Sequence, residues 1–257
     1  MCDLLRKHTE IVCGEEAFKS RRLRLRPYRI TNAGRALGLS VFTKPYMGEP
    51  SYQKFLDARI HLFVQIFCSR NQYVEQFLDT YFAQSGELAA GFKLMADQSR
   101  RFLEIRRYII NNNVKVIHIE RLNYLKVWVS MLLAFKRGKF HSRNAGLESI
   151  KVRVPVKGLM SRLDRISEDN KYWKRSFSDY ENYYHFSYES FVLNPSLHLN
   201  SIFDFLGIEP QKLESDLKKI NSNDLSILIE NYDEVLSALE GSQYEKFICT
   251  PNSTQKE

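Results

Sequence analysis

Residues 116–130 read VIHIERLNYLKVWVS and are the most informative stretch of the chain. Residues 114–119 form a mainly apolar run that is typical of a buried strand. From 123 onward the apolar residues recur at helical spacing, and Gly138 is the kind of residue that ends a helix. The stretch therefore predicts a strand that leads directly into a helix over 123–137.

A second strand and helix precede this pair. Residues 89–95 read AAGFKLM, an apolar run with one lysine, and residues 98–110 predict a helix closed by three asparagines. Strand, helix, strand, helix in this order predict an α/β fold with a parallel sheet covered by helices. We predict further strands over 10–13, 150–156 and 184–188, and further helices over 3–9, 51–84, 158–180, 195–206 and 225–240.

Composition places the chain among folded globular proteins. Of the 257 residues, 44% are hydrophobic and 13% aromatic, which suits one domain over 1–249 and a frayed polar tail over 250–257. The net charge of +8 favours an anionic partner: nucleic acid, an anionic membrane surface, or a phosphorylated or sulfated small molecule. The four cysteines form no CxxC pair, so we expect no zinc site and a reducing, cytoplasmic location.

Arg121 and Ser130 are the first candidates for chemistry. Arg121 lies at the carboxyl end of the predicted strand, where open α/β sheets bind ligands, and its guanidinium can bind a phosphate with two donors. Ser130 can add a hydroxyl from the helix. Spacing alone favours the alternative, a surface arginine and an ordinary helix serine. His118, one step inside the strand, is expected to be a packed core histidine.

The same stretch resembles the 3′-phosphate-binding element of sulfotransferases that use a nucleotide sulfate: a strand, R-x-N, and a helix that carries V-S. It is most similar to the bacterial branch that includes the trehalose and nodulation-factor sulfotransferases. Three more segments match that branch in order: residues 90–95 resemble its G-F-K-L strand, residues 186–207 its Y-E-x-L and F-L-G elements, and residues 229–242 its E-N-Y and L-x-G-T elements. The resemblance implies a P-loop-like three-layer sandwich with a central parallel sheet flanked by helices.

The resemblance also implies a reaction and its partners. The expected donor is 3′-phosphoadenosine-5′-phosphosulfate (PAPS), and the expected acceptor is a hydroxyl of a small molecule, carbohydrate or glycolipid. No metal is expected, because arginine and lysine supply the positive charge. We expect no nucleic-acid partner and no stable membrane insertion, and we leave a homo-oligomer open.

Residue roles follow from the same resemblance. Aligned without a gap from Ile11, the family's general base falls on Glu16; if the family's glycine is matched to Gly14 instead, it falls on Glu15. Both are placed in a predicted turn, where the alternative is a solvated carboxylate. Lys93 is expected to neutralise charge on the leaving or transferring group, unless it only reaches solvent at the strand end.

Two basic segments complete the candidate set. Lys218, Lys219 and Asn221 resemble a loop that approaches the donor nucleotide in the family, and the alternative is a solvated charge run. Six arginines crowd residues 21–35, where an anionic acceptor, the donor, an oligomer interface and plain solvent all stay open. Binding of nucleic acid there is disfavoured, because Tyr28 is the one aromatic residue in the cluster.

The resemblance places a strand and an R-[ST]-G-[ST]-[ST] phosphate loop before the first helix, and residues 1–8 resemble that helix. The first strand and the loop therefore have no counterpart in the chain, which predicts weak donor binding. We expect Met1 to be either an internal methionine of a longer reading frame or the start of a truncated gene. The alternative function is a degenerate family member that binds without catalysis.

Overall fold

The computed structural model describes residues 1–16, 70–83, 88–138, 150–213 and 224–248. Its strands are β1 (Ile11–Glu16), β2 (Ala89–Lys93), β3 (Val116–Glu120) and β4 (Tyr183–Ser187). Its helices are α1 (Cys2–Leu5), α2 (Arg70–Ala83), α3 (Ala96–Arg101), α4 (Leu103–Asn111), α5 (Tyr124–Arg137), α6 (Leu159–Ser176), α7 (Tyr188–Leu193), α8 (Pro195–Leu206), α9 (Leu225–Leu228) and α10 (Tyr232–Leu239), followed by a 3-10 turn at Glu245–Phe247. The fold is α/β, as predicted.

The helices with clear terminal signals end where the sequence predicts. The side chain of Asn123 caps α5 by accepting a hydrogen bond from the Lys126 N–H, and Gly138 ends it with φ 65°. Pro195 begins α8, and Gly207 follows it with φ 74°. Local chemistry is sufficient to define both helices.

Several predicted elements differ from the structure, beginning with the helix predicted over 3–9, which is only the short α1. The helix over 98–110 is two helices, because the backbone at Phe102 is not helical (φ −121°, ψ 78°), and its side chain is buried. The helix over 225–240 is interrupted at Ile229, whose extended backbone forms a parallel bridge with Val152. That single bridge stands in place of the strand predicted over 150–156. Two residues further along the same segment, the Asn231 side chain accepts from the Val154 N–H and donates to the Val154 carbonyl.

The chain divides into two compact units. Unit 1 comprises Met1–Val116, Tyr180–Asn182 and Asn200–Leu213, and unit 2 comprises the rest. The single domain over 1–249 stays a prediction, and the tail over 250–257 lies outside the described residues. Among the helices that the structure describes, none is long and apolar enough to cross a membrane.

In unit 1, β1 and β2 pair in parallel, from Ile11 opposite Ala89 to Glu16 opposite Lys93. Helix α2 packs on this pair through the Tyr81 hydroxyl, which donates to the Gly91 carbonyl at 2.7 Å. It also contacts α4, where the Tyr108 hydroxyl donates to Asp79 at 2.7 Å. These contacts fix the carboxyl ends of the two strands beneath a packed helix.

Replacing Gly14 with alanine is expected to destabilise the protein by roughly 1–3 kcal/mol. A Cβ at Gly14 would clash with the Tyr81 hydroxyl, and the hydroxyl cannot move without losing its bond to Gly91. Gly91, in the neighbouring strand, has no atom within 4 Å of an added Cβ and provides the matched control. Chemical denaturation measures the free energy of unfolding of the two variants. Equal values for Gly14→Ala and Gly91→Ala would contradict the close packing of Tyr81 on Gly14.

In unit 2, β3 pairs with β4, and α5 packs against α6 and the C-terminal segment. Apolar residues of α5 recur at every fourth position and are fully buried: Leu125, Val129 and Leu133. They join the core with buried residues of the other elements: Val152, Val154, Leu159, Leu163, Ile229, Val235 and Leu239. This core holds the start of α5, and therefore the turn between β3 and α5, in place.

Candidate functional site

The turn between β3 and α5 carries Arg121. Its guanidinium carbon lies 5.1 Å from the centre of the Tyr188 ring, a cation–π distance. Its Nε is buried and has no hydrogen-bond partner among the described residues. A buried donor without a partner is costly, so Arg121 is suited to an oxygen-rich anion that accepts from it.

Ser130 lies in α5, partly buried, seven residues after the cap Asn123. Seven residues are about two helical turns, so Ser130 shares a helix face with the cap. The Asn123 amide also donates to the Phe247 carbonyl at 2.9 Å, which anchors the first turn of α5. The structure therefore holds Arg121 and Ser130 on one rigid strand–turn–helix segment.

Two residues at the start of α7 contact the same turn. The Leu122 N–H donates to Glu189 Oε2 at 3.1 Å, while the preceding residue, Tyr188, supplies the ring under Arg121. Ser187 caps α7, because its hydroxyl accepts from the Ser190 N–H at 3.0 Å. Consecutive residues of β4–α7 thus hold consecutive residues of the β3–α5 turn.

Glu120, the last residue of β3, is a buried carboxylate that no sequence pattern singled out. It is 3% exposed, and its Oε2 lies 2.6 Å from Lys174 Nζ and 3.2 Å from His185 Nε2. Burial raises the pKa of Glu120, but the hydrogen bonds and charges of Lys174 and His185 outweigh it and hold the pKa below its usual value. The charge of Glu120 is therefore compensated by its own partners.

His118 is a packed core histidine, as predicted. It is 8% exposed, its Nδ1 is hydrogen-bonded to the Tyr183 hydroxyl, and its ring lies 4.9 Å from that of His185. Burial lowers the pKa of His118 to about 4, and the charge of His185 adds to the shift. The imidazole is therefore neutral near pH 7.

In unit 1, the structure corrects the turn predicted at Glu15 and Glu16, because both residues belong to β1. The strand continues to Glu16 since its backbone pairs with β2, and the pairing is irregular between Gly14 and Glu16. Glu15 is the extra residue of this irregularity, and Glu16 is aligned with Lys93. The strand end thus brings two candidates, Glu16 and Lys93, to adjacent positions at the carboxyl edge of a parallel pair.

Two cysteines far apart in the sequence are neighbours in unit 1. The neighbouring Cys13 thiol lowers the pKa of Cys2, although burial opposes the shift. The charges of Lys93 and Arg6 act in the same direction as the Cys13 thiol. Both cysteines are free thiols. Their spacing in the sequence contains no signal of this contact.

The remaining candidates lie outside the described residues. These are Lys218, Lys219 and Asn221 in the basic loop, and the arginine cluster over 21–35. Their roles stay predictions.

A model of the family described as the sulfotransferase domain matches residues 45–244. The match includes Lys93, Arg121 and Ser130, whereas Glu15 and Glu16 precede its first residue. No curated protein matches the chain. A solved structure of a sulfotransferase from Alicyclobacillus acidocaldarius is similar, with 11% sequence identity and a TM-score of 0.41, over 96% of this chain and 88% of that one.

Proposed function

This chain belongs to the sulfotransferase domain family, and from that premise we propose that it transfers a sulfuryl group from PAPS to a hydroxyl of a carbohydrate or glycolipid. Sulfotransferases generally take the sulfuryl group from PAPS. The observation that carries the proposal is the Arg121 Nε at the end of β3, which is buried and has no hydrogen-bond partner within the described part of the chain. Its position suits the 3′-phosphate by which PAPS differs from simpler adenine nucleotides.

We assign the 3′-phosphate to Arg121 and Ser130. Arg121 donates from a guanidinium held against the Tyr188 ring, and Ser130 donates its hydroxyl from the same segment. Glu120 does not compete for Arg121, because its carboxylate is bonded to Lys174 and His185. Lys218, Lys219 and Asn221 are proposed to approach the nucleotide from the basic loop.

We assign the proton transfer to Glu16, with Glu15 as the alternative. When bound, PAPS supplies the sulfuryl group. Glu16 accepts the proton of the acceptor hydroxyl, and Lys93 adds positive charge where negative charge develops on the leaving side. The register that aligns Glu16 with Lys93 at the end of β1 and β2 supports this division of roles.

We also propose an acceptor, a location and an oligomeric state. A carbohydrate or glycolipid hydroxyl follows from the bacterial branch that the four motifs resemble. A cytoplasmic location follows from four cysteines without a CxxC pair. A homo-oligomer is compatible with all of these features.

Replacing Arg121 with alanine is expected to weaken binding of adenosine 3′,5′-bisphosphate about 10- to 100-fold, since a charge-assisted hydrogen bond contributes roughly 1.5–3 kcal/mol. Adenosine 5′-monophosphate lacks the 3′-phosphate, so its affinity should not change. Arg121→Lys should recover only part of the loss, because lysine keeps the positive charge but cannot donate two parallel hydrogen bonds to the phosphate. Isothermal titration calorimetry measures the affinities of both nucleotides for the unaltered protein and for the two variants.

Arg162→Ala is the matched control for this experiment. Arg162 also lies over an aromatic ring, 4.4 Å from the centre of Trp128, and its loss changes the net charge equally. If the affinity for the bisphosphate fell as much in Arg162→Ala as in Arg121→Ala, a specific role for Arg121 would be contradicted. Tight bisphosphate binding without any sulfuryl transfer would instead identify a binding module.

A further inference from the structure

We propose that Glu189, together with Tyr188, is a positioning residue that holds Arg121 in place for the 3′-phosphate of the nucleotide. The inference rests on the proposed function, because it concerns how Arg121 is presented to that phosphate. Neither residue has to touch the reacting atoms. Both act on the turn from which Arg121 projects.

The first contact fixes the backbone. Strand pairing ends at Glu120, and the helix begins only at Tyr124, so Arg121, Leu122 and Asn123 lie between two regular elements. The Leu122 N–H in this interval donates to Glu189 Oε2 at 3.1 Å. The bond ties the residue next to Arg121 to the first turn of α7. The glutamate therefore restricts the backbone direction from which the Arg121 side chain leaves.

The second contact fixes the side chain. The Arg121 guanidinium lies over the Tyr188 ring at 5.1 Å, and Tyr188 immediately precedes Glu189. An arginine side chain loses considerable rotamer freedom when it binds an anion. A guanidinium that already rests on a ring has lost part of that freedom before the anion arrives. The two contacts thus act on the backbone and the side chain of one segment.

A purely helical role is the competing explanation for Glu189. An acidic residue in the first turn of a helix stabilises it through its charge, and Glu189 occupies that place in α7. The two roles differ in what they require. The helical role needs the negative charge, whereas the positioning role needs an oxygen that accepts from the Leu122 N–H. Glutamine keeps the oxygen and removes the charge, and alanine removes both.

The experiment measures the ratio of two affinities, those for adenosine 3′,5′-bisphosphate and for adenosine 5′-monophosphate, by calorimetry on the full chain. The ratio isolates the 3′-phosphate, because contacts with the rest of the nucleotide affect both ligands. Glu189→Ala is expected to lower the ratio about 2- to 10-fold, the effect of one side chain that must be ordered on binding. Glu189→Gln should keep the ratio near that of the unaltered protein.

Tyr188 provides an independent pair of variants. Tyr188→Leu removes the aromatic ring and is expected to lower the affinity ratio by a similar factor. Tyr188→Phe keeps the ring, so the affinity ratio should stay unchanged. Glu245→Ala is the matched control, because Glu245 also accepts from a backbone N–H, that of Gly241 at 3.0 Å, at a different turn. Thermal unfolding of each variant shows that the protein is folded, and Tyr188→Leu keeps the test valid if Glu189→Ala does not fold.

Each outcome has a definite meaning. A ratio that falls in Glu189→Ala and Tyr188→Leu but not in the two conservative variants supports the inference. Equal falls in Glu189→Ala and Glu189→Gln would show that charge matters rather than the bond to Leu122, and would overturn it. An unchanged ratio in Glu189→Ala and Tyr188→Leu would overturn it while leaving the proposed function intact. An unaltered protein that binds both nucleotides equally would overturn the proposed function, and this inference with it.

Discussion

Glu16→Gln is expected to lower sulfuryl transfer about 10²- to 10⁴-fold, the usual contribution of a general base. Glutamine has nearly the same shape as glutamate but cannot accept the proton of the acceptor hydroxyl. Binding of adenosine 3′,5′-bisphosphate should be unchanged, because the proton is not involved in nucleotide binding. Transfer of radiolabelled sulfate and calorimetry measure the two quantities separately.

Glu15→Gln is the matched control for this substitution. The two residues are adjacent, and the substitutions are chemically identical. In the register of β1 on β2, Glu16 is aligned with Lys93 and Glu15 is the extra residue of the irregularity. Loss of transfer in Glu15→Gln alone would assign the base to Glu15, and full transfer in both variants would remove the base from this strand. Calorimetry with adenosine 3′,5′-bisphosphate on the 257-residue chain tests the predicted weak donor binding.

Acidification from pH 7 toward pH 4 is expected to destabilise the protein through His118. In the folded protein the pKa of His118 is lowered to about 4, first by burial, whereas its ordinary value is 6.5. Between these values the unfolded chain binds a proton that the folded chain does not, so the free energy of unfolding falls as the pH falls. The full loss is on the order of 3 kcal/mol and is complete only below pH 4, where the folded protein also binds the proton.

The groups that face His118 decide how the effect is measured. Tyr183 and His185 face it from β4, and Glu120 and Lys174 complete the set. The pKa of Glu120 is lowered from an ordinary value of 4.5, so its contribution is lost only below that pH. Denaturant unfolding at pH 7 and pH 5 therefore separates the histidine from the carboxylate.

Two variants test the assignment to His118. His118→Phe removes the titrating group and is expected to reduce the loss between pH 7 and pH 5 by about 2 kcal/mol. Tyr183→Phe removes the hydroxyl partner but keeps the buried imidazole, so the protein should be less stable at both pH values with the loss retained. The same pH dependence in His118→Phe as in the unaltered protein would show that another group causes it.

Local chemistry made several features of the fold predictable. Asn123 and Gly138 delimit α5, and Pro195 and Gly207 delimit α8, because a cap or a left-handed glycine acts within a few residues of the backbone it serves. The place of Arg121 was predictable for the same reason: it follows an apolar strand and precedes a helix, and both signals are adjacent to it in the sequence.

Partners distant in the sequence made other features unpredictable. The strand β1 extends through Glu15 and Glu16 only because it pairs with β2, more than seventy residues later. The interruption at Ile229 depends in the same way on its bridge to Val152. A run such as Gly14-Glu15-Glu16 has the composition of a turn, and backbone pairing outweighs that local preference.

Local sequence patterns were enough to predict the α/β class and the strand–turn–helix segment of Arg121 and Ser130, and they contain the motifs that resemble a sulfotransferase. The folded structure was needed to show three things: the Glu120 carboxylate is paired with Lys174 and His185, the Arg121 Nε is buried with no hydrogen-bond partner among the residues that the structure describes, and Glu189 accepts from the Leu122 N–H. The reason is physical. Caps and spacing act between neighbours along the chain, whereas burial and charge compensation depend on atoms that only folding brings together.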